Sequence, residues 1–96
     1  MKPLWELISG EFAGWRSEND MFYDPQGFNV GYFKEGRVYL LKGTCLGQLY
    51  DEDRIGRRAN VIYKPGRSYY PAAAKSTQPL MNQTGNAIQG WEDPRA

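Results

Sequence analysis

Hydrophobic and polar positions alternate in a repeating pattern between residues 21 and 56. An aromatic residue, a tight turn, and an aliphatic residue followed by glycine occupy residues 23–31, and the same order returns at residues 39–47. A third, slightly shorter copy ends at Gly56. Such strand–turn–strand units at a short, even spacing are typical of consecutive β-hairpins.

Turn residues separate the candidate strands. Residues 24–27 (DPQG) have the aspartate, proline and glycine of a type I turn, and residues 64–67 (KPGR) suit a type II turn. The shorter stretches 34–36 (KEG) and 42–43 (KG) close hairpins. The segments between turns are rich in β-formers: residues 28–33, 37–41, 44–50, 55–63 and 68–70. Connections this short require antiparallel neighbours.

Alternation within the strands divides the apolar side chains between two faces. We assign four groups, one from each strand, to the inward face: Phe28, Val30 and Tyr32; Val38 and Leu40; Leu46 and Tyr50; and Val61 and Tyr63. The opposite face then carries Phe33, Tyr39, Leu41, Leu49 and Ile62. A single open sheet cannot bury so many rings. We therefore predict an all-β fold, an antiparallel meander in a strongly curved sheet or small barrel of SH3 or OB size, with five to six strands.

The two ends of the chain carry weaker signals. For residues 3–9 we favour a short helical cap with Pro3 in its first turn, and a first strand is the alternative. We place a single β domain at residues 1–70 and an extended C-terminal arm at residues 71–96. The arm has no clear period but contains Leu80, Met81, Ile88 and Trp91. We expect it to pack on the sheet or on a neighbouring subunit, with disorder as the alternative.

Composition and charge narrow the class of protein. The chain has 96 residues, of which 41% are hydrophobic and 15% aromatic, enough for one domain. An apolar segment long enough for a transmembrane helix is absent, and Cys45 is the single cysteine, so we expect a cytoplasmic protein without membrane contact. Residues 1–53 contain five Lys or Arg and nine Asp or Glu, so this half is acidic. Residues 54–96 contain seven Lys or Arg and two Asp or Glu, so this half is basic. Halves of opposite charge can attract copies of the chain or an anionic partner.

Catalytic and metal-binding chemistry finds little support in the sequence. Histidine is absent, which removes the commonest general base and metal ligand. We interpret Cys45 as a small buried hydrophobe and the acidic residues 51–53 as a solvated turn. Asp20 and Asp24 lie in stretches that we expect to be exposed loops. The glycines lack the spacing of a phosphate-binding loop. We therefore predict no enzyme, no metal and no cofactor.

The leading functional hypothesis is a non-enzymatic interaction module that acts as a homodimer. Surplus rings on the outer face would anchor the contact, and complementary charge would set its register. The predicted interaction face consists of Phe33, Tyr39, Leu49 and Trp91.

Two alternatives remain open. Cations interleaved with tyrosines between residues 54 and 70 have the composition of a single-stranded nucleic-acid surface. This predicted basic surface consists of Arg54, Arg57, Arg58, Lys64, Arg67, Tyr69 and Tyr70. A small ligand or sugar bound in an aromatic pocket near Trp5 and Trp15 is the second alternative.

Overall fold

Eight short strands form the fold in residues 1–94, the part of the chain that the computed structural model describes. They are β1 (Lys2–Glu6), β2 (Phe12–Arg16), β3 (Met21–Tyr23), β4 (Asn29–Lys34), β5 (Arg37–Leu40), β6 (Cys45–Leu49), β7 (Arg54–Arg58) and β8 (Trp91–Glu92). The described residues contain no helix.

Strands β1 to β7 follow one another in space as an antiparallel meander, and β1 then pairs with β7 to close a barrel. This closing pair is parallel, with Trp5 opposite Arg54 and Glu6 opposite Ile55. Strand β8 pairs with the last residues of β7. The expected all-β small barrel is confirmed, with more and shorter strands than the anticipated five to six.

Irregularities at equivalent positions allow so few strands to curl into a closed barrel. The pairing register shifts after Leu4 in β1, after Phe22 in β3 and after Val38 in β5. A β-bulge of this kind bends its strand and increases the local twist. At Gly31 the neighbouring strand approaches so closely that an added Cβ would overlap the carbonyl oxygen of Tyr39. The repeat seen in the sequence is therefore a repeat of bent hairpins.

The core is assembled from one side chain of each odd-numbered strand of the barrel. These side chains are Leu4, Phe22, Val38 and Ile55, and Phe33 of β4 joins them. The assignment of Phe33 to an outer face is wrong, because Phe33 pairs across the hairpin with Val38 and is 5% exposed. Phe28, assigned inward, lies in a turn and is 60% exposed.

Two segments adopt structures other than those expected. Residues 3–9 are not a helix: β1 pairs with β2 on one side and with β7 on the other, and a turn follows it. Pairing on both edges outweighs a weak local helical preference. Residues 68–70 do not form a strand, although the Tyr69 N–H donates a hydrogen bond to the Leu41 carbonyl.

The up-and-down order of the strands gives the barrel two distinct ends. The β1–β2, β3–β4 and β5–β6 turns and the last residue of β7 share one end; the β2–β3, β4–β5 and β6–β7 turns share the other. Residues 59–90, which we call the belt, have almost no regular secondary structure. They run past the β5–β6, β3–β4 and β1–β2 turns in that order and return to β7 as β8. We call this end the belted end.

Candidate functional site

A groove between the outer face of strands β4 and β5 and the belt is the candidate site. It has a volume of about 320 Å³. We call it the tyrosine groove; its lining is Tyr32, Lys34, Glu35, Tyr39, Pro65, Gly66, Arg67 and Tyr69. The rings of Tyr32 and Tyr39, which are cross-strand partners, stack with their centroids 5.1 Å apart. The Tyr69 ring meets Tyr32 edge-on at 4.8 Å.

Hydrogen bonds hold the belt wall of the tyrosine groove in place. The Tyr32 hydroxyl donates to the Arg67 carbonyl oxygen at 2.7 Å, and the Gly66 N–H donates to the Gly43 carbonyl at 2.8 Å. An added Cβ on Gly66 would come within 3.0 Å of the Tyr39 ring, so glycine allows the backbone to lie against that ring. The groove is therefore preformed.

Charged side chains line the tyrosine groove, and its stacked pair, Tyr32 and Tyr39, remains neutral. Lys34, Glu35 and Arg67 are all exposed, and the Arg67 guanidinium carbon lies 5.9 Å from the Tyr69 ring centroid. Burial raises the pKa of both Tyr32 and Tyr39 above the ordinary phenol value. Their hydroxyl groups consequently stay protonated at neutral pH.

Two members of the predicted basic surface are engaged within the chain. Arg54 donates to the Thr84 carbonyl at 3.1 Å and to the Gln83 side chain at 2.6 Å. Arg57 donates to the Cys45 carbonyl at 3.2 Å, and its guanidinium carbon lies 4.6 Å from the Tyr63 ring centroid. Arg54 thus holds the later part of the belt against the barrel, and Arg57 holds the first part.

The other members of the predicted basic surface are more accessible. Arg58 is exposed with its guanidinium carbon 5.8 Å from the Trp91 ring, and Lys64 is exposed. Tyr70 is 97% exposed. Only Arg67 and Tyr69 of this surface line the tyrosine groove. The structure therefore divides the predicted basic surface instead of presenting it as one patch.

The four residues of the predicted interaction face lie in different environments. Phe33 belongs to the core, and Leu49 packs against that core. Tyr39 lies in the tyrosine groove. Trp91 packs edge-on against Tyr50, with ring centroids 5.2 Å apart. These residues do not form a common surface.

Tyr32 and Lys34 line the tyrosine groove but were not predicted as members of a site. Tyr32 was assigned to the inward face because it alternates with Val30 along the strand. The signal that would have corrected this is the two-residue turn at Glu35 and Gly36. A turn of that length pairs Lys34 with Arg37 and hence Tyr32 with Tyr39, and cross-strand partners share a face.

The remaining chemical candidates have structural explanations. Cys45 is buried, and its burial raises the pKa of the thiol, which disfavours the nucleophilic thiolate. Among residues 1–94 no cluster of three or more potential ligands could hold a metal ion. Trp5 packs edge-on against Phe12 and donates its indole N–H to the Met81 carbonyl at 2.9 Å. This packing counts against an open aromatic pocket at Trp5.

Comparisons of the chain with protein family models, with curated proteins and with solved structures found no match. Within the described part of the chain, no helix is long and apolar enough to cross a membrane. The surfaces of this barrel and its belt are therefore the basis for assigning a function.

Proposed function

We propose that this protein is a non-enzymatic interaction module that forms a homodimer through its belted end. The observation that carries the proposal is the exposure of large apolar side chains on a belt whose backbone is tied to the barrel. Tyr70 is 97% exposed, Met81 87% and Ile62 85%. Single exposed apolar residues are ordinary on monomers, whereas a surface that gathers several of them is typical of an interface.

The belt would present these side chains around the rim of the barrel. Ile62, Tyr70 and Met81 lie on successive parts of the circuit, separated by the contacts with the barrel turns. Phe28, 60% exposed, projects from the β3–β4 turn at the same end. In a dimer with twofold symmetry the same surface occurs on both subunits, so a rim of this kind can cover itself. A stable interface of this class buries about 800 Å² on each partner.

The test is the molar mass of the full chain in solution, measured by light scattering over micromolar to submillimolar concentrations. We expect a dimer at the higher concentrations. The double substitution Tyr70→Ser with Met81→Ser should shift the equilibrium to monomer, because it removes exposed apolar surface without touching the core.

The matched control is Gln78→Ser, which shortens an exposed polar side chain on the same belt. It should leave the dimer intact. A wild-type chain that remains monomeric at every concentration would refute the proposal, as would a double variant that dimerises as well as the wild type.

A further inference from the structure

We propose that the tyrosine groove binds a nucleotide unit, meaning a planar base joined to a phosphate. The inference is independent of dimerisation. It rests on three tyrosine rings and two exposed cations that converge on one cavity: Tyr32, Tyr39, Tyr69, Lys34 and Arg67. The volume of about 320 Å³ lies at the lower end of the range for small-ligand sites.

The aromatic residues supply the surface for the base. Tyr32 is 6% exposed and serves as the fixed support, stacked on Tyr39 at an interplanar angle of 11°. Tyr69 is 43% exposed and stands at 75° to Tyr32, so Tyr69 and the stacked pair form a corner at which Tyr69 is the accessible ring. A planar base can stack on one ring of such a corner and meet the other edge-on.

The cations supply the contact for the phosphate. Lys34 ends strand β4, and Arg67 lies on the opposite, belt wall of the groove. Arg67 also lies beside the Tyr69 ring, at 5.9 Å from guanidinium carbon to centroid. A stacked base on Tyr69 would therefore place its phosphate within reach of a guanidinium group. Arginine and lysine are the usual protein partners of phosphate oxygens.

Glu35 provides a second test of phosphate binding, with an effect opposite in sign to that of the cations. Its carboxylate lines the same groove and reduces the positive charge that Lys34 and Arg67 provide. If a phosphate enters the groove, Glu35 repels it. Glu35→Gln should therefore strengthen binding, whereas removal of either cation should weaken it.

The experiment is an NMR titration of the isotope-labelled full chain at low salt, in separate arms with adenosine monophosphate and with a single-stranded oligodeoxyadenylate. We expect amide shifts at groove residues such as Lys34, Gly66 and Tyr69. Arg67→Ala should weaken binding about tenfold, as loss of one charge-assisted contact implies. The matched control is Lys75→Ala, which removes an equal charge elsewhere on the belt.

The two arms distinguish the source of the nucleotide. Groove shifts with the monophosphate identify a free nucleotide as sufficient, and groove shifts with the oligonucleotide alone identify a single strand; both outcomes support the proposal. Absence of groove shifts in both arms would overturn it. Equal weakening by Lys75→Ala and Arg67→Ala would also overturn it, since it would indicate diffuse attraction to charge. Thermal midpoints of the variants establish that each remains folded.

Discussion

The backbone N–H of Gln83 donates a 2.8 Å hydrogen bond to the carbonyl oxygen of Gly10, in the β1–β2 turn. The same kind of bond, also 2.8 Å long, recurs from Lys75 to Gly27 and from Gly66 to Gly43. The belt is thus attached through its backbone to a glycine in each of the three hairpin turns at the belted end. Because these bonds use no side chain, they leave the outward-facing side chains of the belt available for contacts.

Gly10 and Gly36 offer a matched test of how much the belt attachment stabilises the fold. Their φ angles, +77° and +79°, are nearly equal. An added Cβ at Gly10 would overlap the Gln83 carbonyl oxygen, whereas the space at Gly36 is open. Backbone strain alone should make Gly36→Ala less stable by about 1–2 kcal/mol. Gly10→Ala should lose at least about 1 kcal/mol more, through displacement of the belt.

Urea unfolding gives both free energies, and hydrogen exchange at the Gln83 amide reports the local effect. Faster exchange in Gly10→Ala and unchanged exchange in Gly36→Ala would support the attachment. Equal losses of stability in the two variants would contradict it.

The part of the fold that the sequence predicts is the part held by local hairpins. Strands β4, β5 and β6 lie where alternation and turn residues placed them. Closure of the barrel could not be predicted, because the parallel pairing of Trp5 with Arg54 joins residues far apart in sequence. The path of the belt could not be predicted either, because it depends on backbone hydrogen bonds to distant turns. Such bonds impose no periodic pattern on residues 59–90.

The candidate site was only partly predictable for a related reason. Tyr39, Arg67 and Tyr69 were singled out by residue type, and all three line the tyrosine groove. Their convergence depends on the path of the belt across β4 and β5, which composition does not encode. Arg54 and Arg57 resembled the other cations in sequence, but their guanidinium groups bind backbone carbonyls.

Tyr63→Phe should destabilise the first part of the belt. The Tyr63 hydroxyl accepts a hydrogen bond from the Arg58 N–H at 2.9 Å and donates one to the Gln48 side chain at 2.7 Å. Its loss should lower the free energy of unfolding by about 1 kcal/mol, because water can replace part of these contacts. The thermal midpoint should fall by about 4–8 °C. Tyr70→Phe, at a 97% exposed position, is the control and should leave the midpoint unchanged.

Glu6 should make the stability of the fold depend on pH. Burial, together with the smaller effects of the neighbouring Asp93 and Glu11 carboxylates, raises the pKa of this carboxyl to about 7. Between an unfolded-state pKa near 4.5 and this folded-state value, the folded chain binds more protons than the unfolded chain. The contribution of Glu6 is therefore fully present below pH 4.5 and is lost as the pH rises through about 7.

The measurement is the free energy of unfolding from weakly acidic to weakly alkaline pH. The free energy of unfolding of the wild type should fall by about 1 kcal/mol as the pH rises over this interval. This value is reduced to allow for solvent screening, because Glu6 is partly exposed. Glu6→Gln cannot titrate and should lose less over the same interval. The sequence has no histidine to titrate in this interval, so parallel curves for the two proteins would refute the assignment.

Phe33→Ala distinguishes a core residue from a residue of an interaction face. The Phe33 ring is 5% exposed, packs edge-on against Phe22 with centroids 5.6 Å apart, and has the Arg16 guanidinium carbon 4.9 Å from its centroid. Removing it leaves a cavity, so the free energy of unfolding should fall by about 3–5 kcal/mol in urea denaturation. Tyr70→Ala, which removes a ring from the surface, should cost little stability by the same measurement. If Phe33→Ala unfolded at the wild-type urea concentration and changed only the molar mass in solution, Phe33 would belong to an interface after all.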